Sequence, residues 1–107
     1  MSSEWVELGN TDKFPENEAV LVETKEFGSL VVVYQDGSYN VLAGICTHEE
    51  FELDGVPVQD GQLTCTLHMS AFDLKTGEVL SPPAEENLEV YSVKVENSLV
   101  YVKKNLN

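Results

Sequence analysis

The chain contains two cysteines and two histidines, and all four fall into one pattern: Cys46-Thr47-His48, sixteen intervening residues, then Cys65-Thr66-Leu67-His68. Thiolate and imidazole are the side-chain donors that suit soft and borderline metals. Two short pairs, each with one sulfur and one nitrogen donor, can grip a metal centre between two loops. The inventory fits two kinds of centre. A single zinc ion takes two thiolates and two imidazoles as a tetrahedron. A binuclear iron–sulfur core can take two thiolates on one iron and two imidazoles on the other.

The spacing favours the second. Finger-type zinc sites pair cysteine with cysteine and histidine with histidine, the histidines riding on a helix. Here each pair is mixed, and no helical periodicity surrounds Cys65 to His68. In a [2Fe–2S] core the bridging sulfides leave each iron two positions for protein ligands. A mixed pair then lets each loop give one ligand to each iron: Cys46 and Cys65 to the first, His48 and His68 to the second. That is the Rieske ligand set, and a Cys2His2 zinc-stabilised interaction module stands as the alternative. Neutral imidazoles in place of two thiolates remove negative charge, so an electron is more easily added. Rieske potentials accordingly span about −150 to +300 mV, against about −400 mV for plant-type all-cysteine clusters. The electron is expected on the histidine-ligated iron.

The elements that must position these loops read as short strands between turns. Ala19 to Thr24 and Leu30 to Gln35 are rich in β-branched residues, and Asp36-Gly37 followed by Tyr39 to Ala43 reads as a hairpin. Val90 to Glu96 and Leu99 to Lys103 alternate apolar and polar residues across an Asn97-Ser98 turn. A smaller hairpin is expected between Ala71–Leu74 and Glu78–Leu80, across Lys75-Thr-Gly77. Gly61 and Gly77 read as turn residues. No amphipathic helix, internal repeat or low-complexity linker stands out. Many short strands imply an all-β sandwich or barrel. Both ligand pairs interrupt it, after Val41–Ile45 and after Gly61–Thr64, so a segment from about 44 to 84 is expected to form a cluster-binding subdomain. With 107 residues the chain is expected to be one domain, 1–107, small enough to gain stability from a bound metal.

Charge and composition narrow the function classes. Nineteen acids against six bases give −13, which opposes nucleic acid and anionic membranes, since both attract basic surfaces. No apolar run approaches the length of a membrane span, and the N-terminus lacks a signal-peptide pattern. A cytoplasmic location is therefore expected, where two cysteines remain reduced. Trp5 is expected in the core or at a sheet edge.

With these residues in view, the chain resembles a known family. Cys46-Thr-His48, Cys65-Thr-Leu-His68-Met, Phe72-Asp, Lys75-Thr-Gly77 and Ser81-Pro82-Pro83 look like the Rieske-type ferredoxins of bacterial aromatic-ring-hydroxylating dioxygenases, such as the biphenyl and carbazole systems. The resemblance implies a Rieske-type fold of three antiparallel sheets with the cluster-binding insert at one tip. It implies one [2Fe–2S] cluster held by Cys46, His48, Cys65 and His68, and no catalytic site. The implied role is a soluble one-electron carrier from a flavin-containing NAD(P)H ferredoxin reductase to a terminal oxygenase, working as a monomer. It also places Ser81-Pro82-Pro83 as a stiff cover beside the cluster. Glu49, Thr66 and Met69 depart from the glycine, proline and glycine that many members carry there. Respiratory Rieske proteins brace their loops with a disulfide, for which this chain has no cysteines to spare. A Rieske-like nitrite reductase small subunit is a second reading, which the intact quartet opposes.

Two further expectations concern tuning and docking. Glu49, Glu50, Glu52 and Asp54 follow the first pair, where carboxylates could steer a basic partner surface. Ser70 supplies a hydroxyl two residues after His68, where high-potential Rieske proteins place a hydrogen-bond donor to a cluster sulfur. Phe72 lacks the hydroxyl that a tyrosine at that position would give. A potential near the low end of the range is therefore expected.

Overall fold

The computed structural model describes residues 5–46, 51–66, 69–82 and 86–104. Nine strands run in chain order: β1 Val6–Asn10, β2 Ala19–Thr24, β3 Gly28–Gln35, β4 Ser38–Ala43, β5 Val58–Gln59, β6 Gln62–Cys65, β7 Ser70–Asp73, β8 Val90–Glu96 and β9 Leu99–Lys104. The helical content of the described residues is a single 3₁₀ turn, Thr11–Lys13, capped by the Asn10 side chain. Every strand pairing is antiparallel.

Turn chemistry sets the registers. Asp36 and Gly37 both take positive φ (53° and 77°) between the paired Gln35 and Ser38, the two-residue turn whose twist matches the flanking strands. Asn97-Ser98 does the same for β8–β9, and Asp60-Gly61 for β5–β6. At β2–β3, the Thr24 hydroxyl accepts from the Phe27 N–H and donates to the Gly28 carbonyl.

By hydrogen bonding there are two sheets among the described residues, of order β1-β9-β8-β4-β3-β2 and β5-β6-β7. The three-sheet expectation is met in a modified form. The units β1-β9-β8 and β4-β3-β2 are joined through only two register pairs, Val41↔Tyr91 and Leu42↔Val90, and so fuse into one six-stranded sheet. The smaller sheet comes wholly from between β4 and β8. The small hairpin expected between Ala71–Leu74 and Glu78–Leu80 is present as a single bridge, Phe72↔Val79, flanked by hydrogen bonds from the Asp73 N–H to the Glu78 carbonyl and from the Leu80 N–H to the Ala71 carbonyl.

The packing explains why β3 reads as an unbroken apolar run. Leu30, Val31, Val32 and Val33 are all fully buried, because both faces of the strand are covered. Leu30, Val32 and Val41 face one core with Leu8, Phe14, Tyr91, Val100 and Val102. Val31, Val33 and Leu42 face the other core, with Leu53, Leu63, Phe72 and both cysteines. The β2-β3-β4 unit is thus a middle layer, and its second face packs with Cys46 and Cys65. Trp5 sits half-buried beside edge strand β1, with the Lys94 and Lys103 ammonium groups 4.7 and 4.9 Å from its ring centre.

Candidate metal centre

The stem that carries Cys46, the first candidate ligand, is held by backbone contacts. β4 leaves the sheet through Gly44, whose N–H donates to the Ser29 carbonyl at 2.9 Å. A Cβ there would lie 2.7 Å from Leu21 Cδ1 and 3.0 Å from the β3 backbone, so no larger residue fits without a shift. Ile45 then bridges to Glu52, and the Cys46 N–H donates to the Phe51 carbonyl at 2.9 Å. Cys46 is 4% exposed at this stem.

The second loop is the connection of the β6–β7 hairpin. Its last register pair is Cys65↔Ser70, so these side chains leave the same face of the sheet. Leu63 and Phe72, also paired, share that face by the two-residue period. Cys65 is 1% exposed and Ser70 is fully buried. The orientation of this hairpin follows from Gln35 at the end of β3. Its amide accepts from the Gly61 N–H (2.8 Å) and donates to Asn17 Oδ1 (3.0 Å). The Asp60-Gly61 turn is therefore held at the β3–β4 turn end. β6 runs from there toward the opposite end, where β4 delivers Cys46.

Both cysteines belong to one packed cluster and neither forms a disulfide. His48 and His68 lie outside the described residues. Cysteine sulfur is a donor for soft and borderline metals. Two buried sulfur donors at the roots of two loops thus suit a centre that takes both cysteines on one metal atom.

The acidic stretch divides. Glu52 is exposed, but the Asp54 carboxylate accepts from the Leu21 N–H at 2.9 Å, and the Gly55 N–H donates to the Ala19 carbonyl at 2.8 Å. Both bonds cover the open edge of β2. Asp54 therefore has a structural role that its sequence position did not disclose, while Glu49 and Glu50 lie outside the described residues.

Ser81, the first residue of the expected cover, lies against the start of β7. The Ser81 hydroxyl accepts from the Ala71 N–H at 3.0 Å and donates to the Met69 carbonyl at 3.4 Å. Pro83 lies outside the described residues. Gly77 is more than a turn residue: at φ 76°, an added Cβ would run into the Leu88 carbonyl oxygen. The Leu88 N–H also donates to the Gly77 carbonyl, which ties the site's outer loop to the approach to β8.

Comparison with known proteins gives the family. The model of the Rieske [2Fe-2S] domain matches residues 4–92. The biphenyl dioxygenase ferredoxin subunit of Pseudomonas sp. (strain KKS102) is 34% identical, over 87% of this chain and 85% of that one. The ferredoxin component of the naphthalene 1,2-dioxygenase/salicylate 5-hydroxylase systems of Ralstonia sp. is 28% identical, over 96% of this chain and 98% of that one. Among solved structures, a complex of reduced oxygenase and oxidised ferredoxin in carbazole 1,9a-dioxygenase holds a chain that superposes with a TM-score of 0.88. That chain is 23% identical, with 99% of this chain and all of that one covered, and at this identity the likeness is one of fold. The chain therefore belongs to the Rieske [2Fe-2S] domain family.

Proposed function

We propose that this protein is the ferredoxin component of an aromatic-ring dioxygenase system, carrying single electrons from a flavin-containing NAD(P)H reductase to a terminal oxygenase. The observation that carries the reading is the pair of buried cysteines, 4% and 1% exposed, at the roots of two loops in a Rieske domain. The ferredoxin relatives, one of them 34% identical over most of both chains, give the system its class. Cys46, Cys65, His48 and His68 are the proposed ligands. The bound [2Fe–2S] cluster supplies a centre that takes up and releases one electron. The chain's own contribution is to hold two sulfur donors in a dry, packed floor and to exclude water from them. The 44–84 segment acts as the cluster-binding part of a single working domain. The protein is proposed to act as a cytoplasmic monomer.

The test is a reconstituted chain. Purified protein is mixed with an NADH-dependent flavoprotein reductase and a Rieske-type terminal oxygenase, and reduction and reoxidation are followed in the visible range. The expected outcome is reduction by NADH only with the reductase present, and reoxidation only when oxygenase and aromatic substrate are added. A protein that takes no electrons from any such reductase is not a carrier of this class.

A further inference from the structure

Ser81 sits where two segments of the site meet, and its hydroxyl uses both of its capacities there. It accepts from the Ala71 N–H (3.0 Å) and donates to the Met69 carbonyl (3.4 Å). Its neighbour Leu80 donates its N–H to the Ala71 carbonyl at 2.7 Å, and Asp73 donates to the Glu78 carbonyl at 2.9 Å. Residues 78–81 thus run along the outer edge of β7 as a partial strand, with Phe72↔Val79 as its one bridge. Among the described residues, the last backbone bond of this ladder is the one from Leu80. Proline has no N–H, so Pro82 and Pro83 cannot extend the ladder.

The exit of the second ligand loop needs such a tie. Met69 has a left-handed backbone (φ 63°) and a side chain 63% exposed, a conformation uncommon for a residue with a Cβ. Its carbonyl and the Ala71 N–H flank Ser70, the residue paired with Cys65. We infer that Ser81 is a positioning residue for the cluster: its side chain completes the ladder that the prolines cannot, and fixes the exit of the His68 loop against the Leu80–Pro82 cover. This rests on the proposed ligand set. Of these two bonds, one reaches Met69 at the exit of the second loop and the other reaches Ala71 at the start of β7.

The experiment compares the wild-type holoprotein with Ser81→Ala and Ser81→Thr. Amide hydrogen exchange across 66–72, the EPR line shape of the reduced protein and the rate of cluster loss to a chelator are measured on each. Ser81→Ala is expected to speed exchange in that segment about fivefold, the change in local opening that one net hydrogen bond provides. It is also expected to broaden the EPR line and hasten cluster loss, at an unaltered global melting temperature of the β frame. Ser81→Thr keeps the hydroxyl and is expected to restore all three. Unchanged exchange, line shape and cluster retention in Ser81→Ala overturn the inference while leaving the ligand assignment standing. So does a Ser81→Thr protein that behaves like Ser81→Ala. A wild-type protein that takes up no iron–sulfur cluster overturns the ligand assignment itself, and the inference with it.

Discussion

The proposed ligand residues carry the sharpest expectations. An iron that loses a protein ligand is open to water and labile, so Ala at Cys46, His48, Cys65 or His68 should each remove nearly all of the bound cluster. Melting temperature should fall too, since metal binding is coupled to folding; iron analysis and calorimetry read both. Ser70 and Phe72 belong to the same scale. Ser70 is fully buried on the face of Cys65, and Phe72, equally buried, offers no hydroxyl. The potential is therefore expected near the low end of the Rieske range, about −150 mV. Ser70→Ala should lower it and Phe72→Tyr raise it in voltammetry; a Ser70→Ala value that does not fall removes Ser70 from the tuning. Tyr91, farther off, gives a pH dependence. Burial, and then the negative charge of Glu89 and the hydrogen bond its carboxylate accepts from the phenol, raise its pKa above the ordinary value of 10.0. The folded state thus favours the neutral phenol. The stability this supplies is complete below that value and is lost as pH climbs through the raised one. Melting scans from neutral to strongly alkaline pH should show that extra loss in the wild type and less of it in Tyr91→Phe.

At the scale of elements, much was legible because it is local. Asp36-Gly37 and Asn97-Ser98 announce their hairpins through residues that accept positive φ, and the alternation of Val90 to Glu96 announces a half-buried strand. Asp60-Gly61 carries the same signal, but the strands it joins are too short to display a period. β1 escaped notice for a similar reason, since Val6–Asn10 holds a glycine and a bulge. What could not be read was long-range. No local pattern tells that Asp54 reaches the Leu21 N–H, or that Gly77 lies against Leu88. Gln35 is of this kind as well. Gln35→Met keeps the volume but leaves the Gly61 N–H and the Asn17 side chain without their partner, which should cost about 1–3 kcal/mol in denaturant unfolding. Gly77→Ala, forced into a left-handed backbone against a carbonyl, should cost at least as much as the ~1–3 kcal/mol of such strain. A neutral result for either would mean that the outer turn is not anchored as described.

For the whole molecule, the strand-rich frame was legible from residue types and spacing, while the sheet count was not, because two register pairs decide whether two units fuse. The net charge of −13 sets the long-range behaviour. With Asp54 bonded to β2, the carboxylates left to steer a partner from the first loop are Glu49, Glu50 and Glu52. Reversing Glu49 and Glu50 to lysine should slow electron transfer to a basic partner severalfold at low salt, and the difference should shrink as ionic strength approaches the screening regime. Rates indifferent to both changes would show that these acids only keep the molecule soluble. Among the described residues no helix is long and apolar enough to cross a membrane.

The most direct test of the central claim is the EPR spectrum of the purified protein after reduction, taken with its visible absorption and metal content. The account predicts a brown protein with about two irons per chain, and a reduced-state signal of the mixed cysteine–histidine [2Fe–2S] type. A colourless protein holding one zinc per chain, with no signal on reduction, would contradict it.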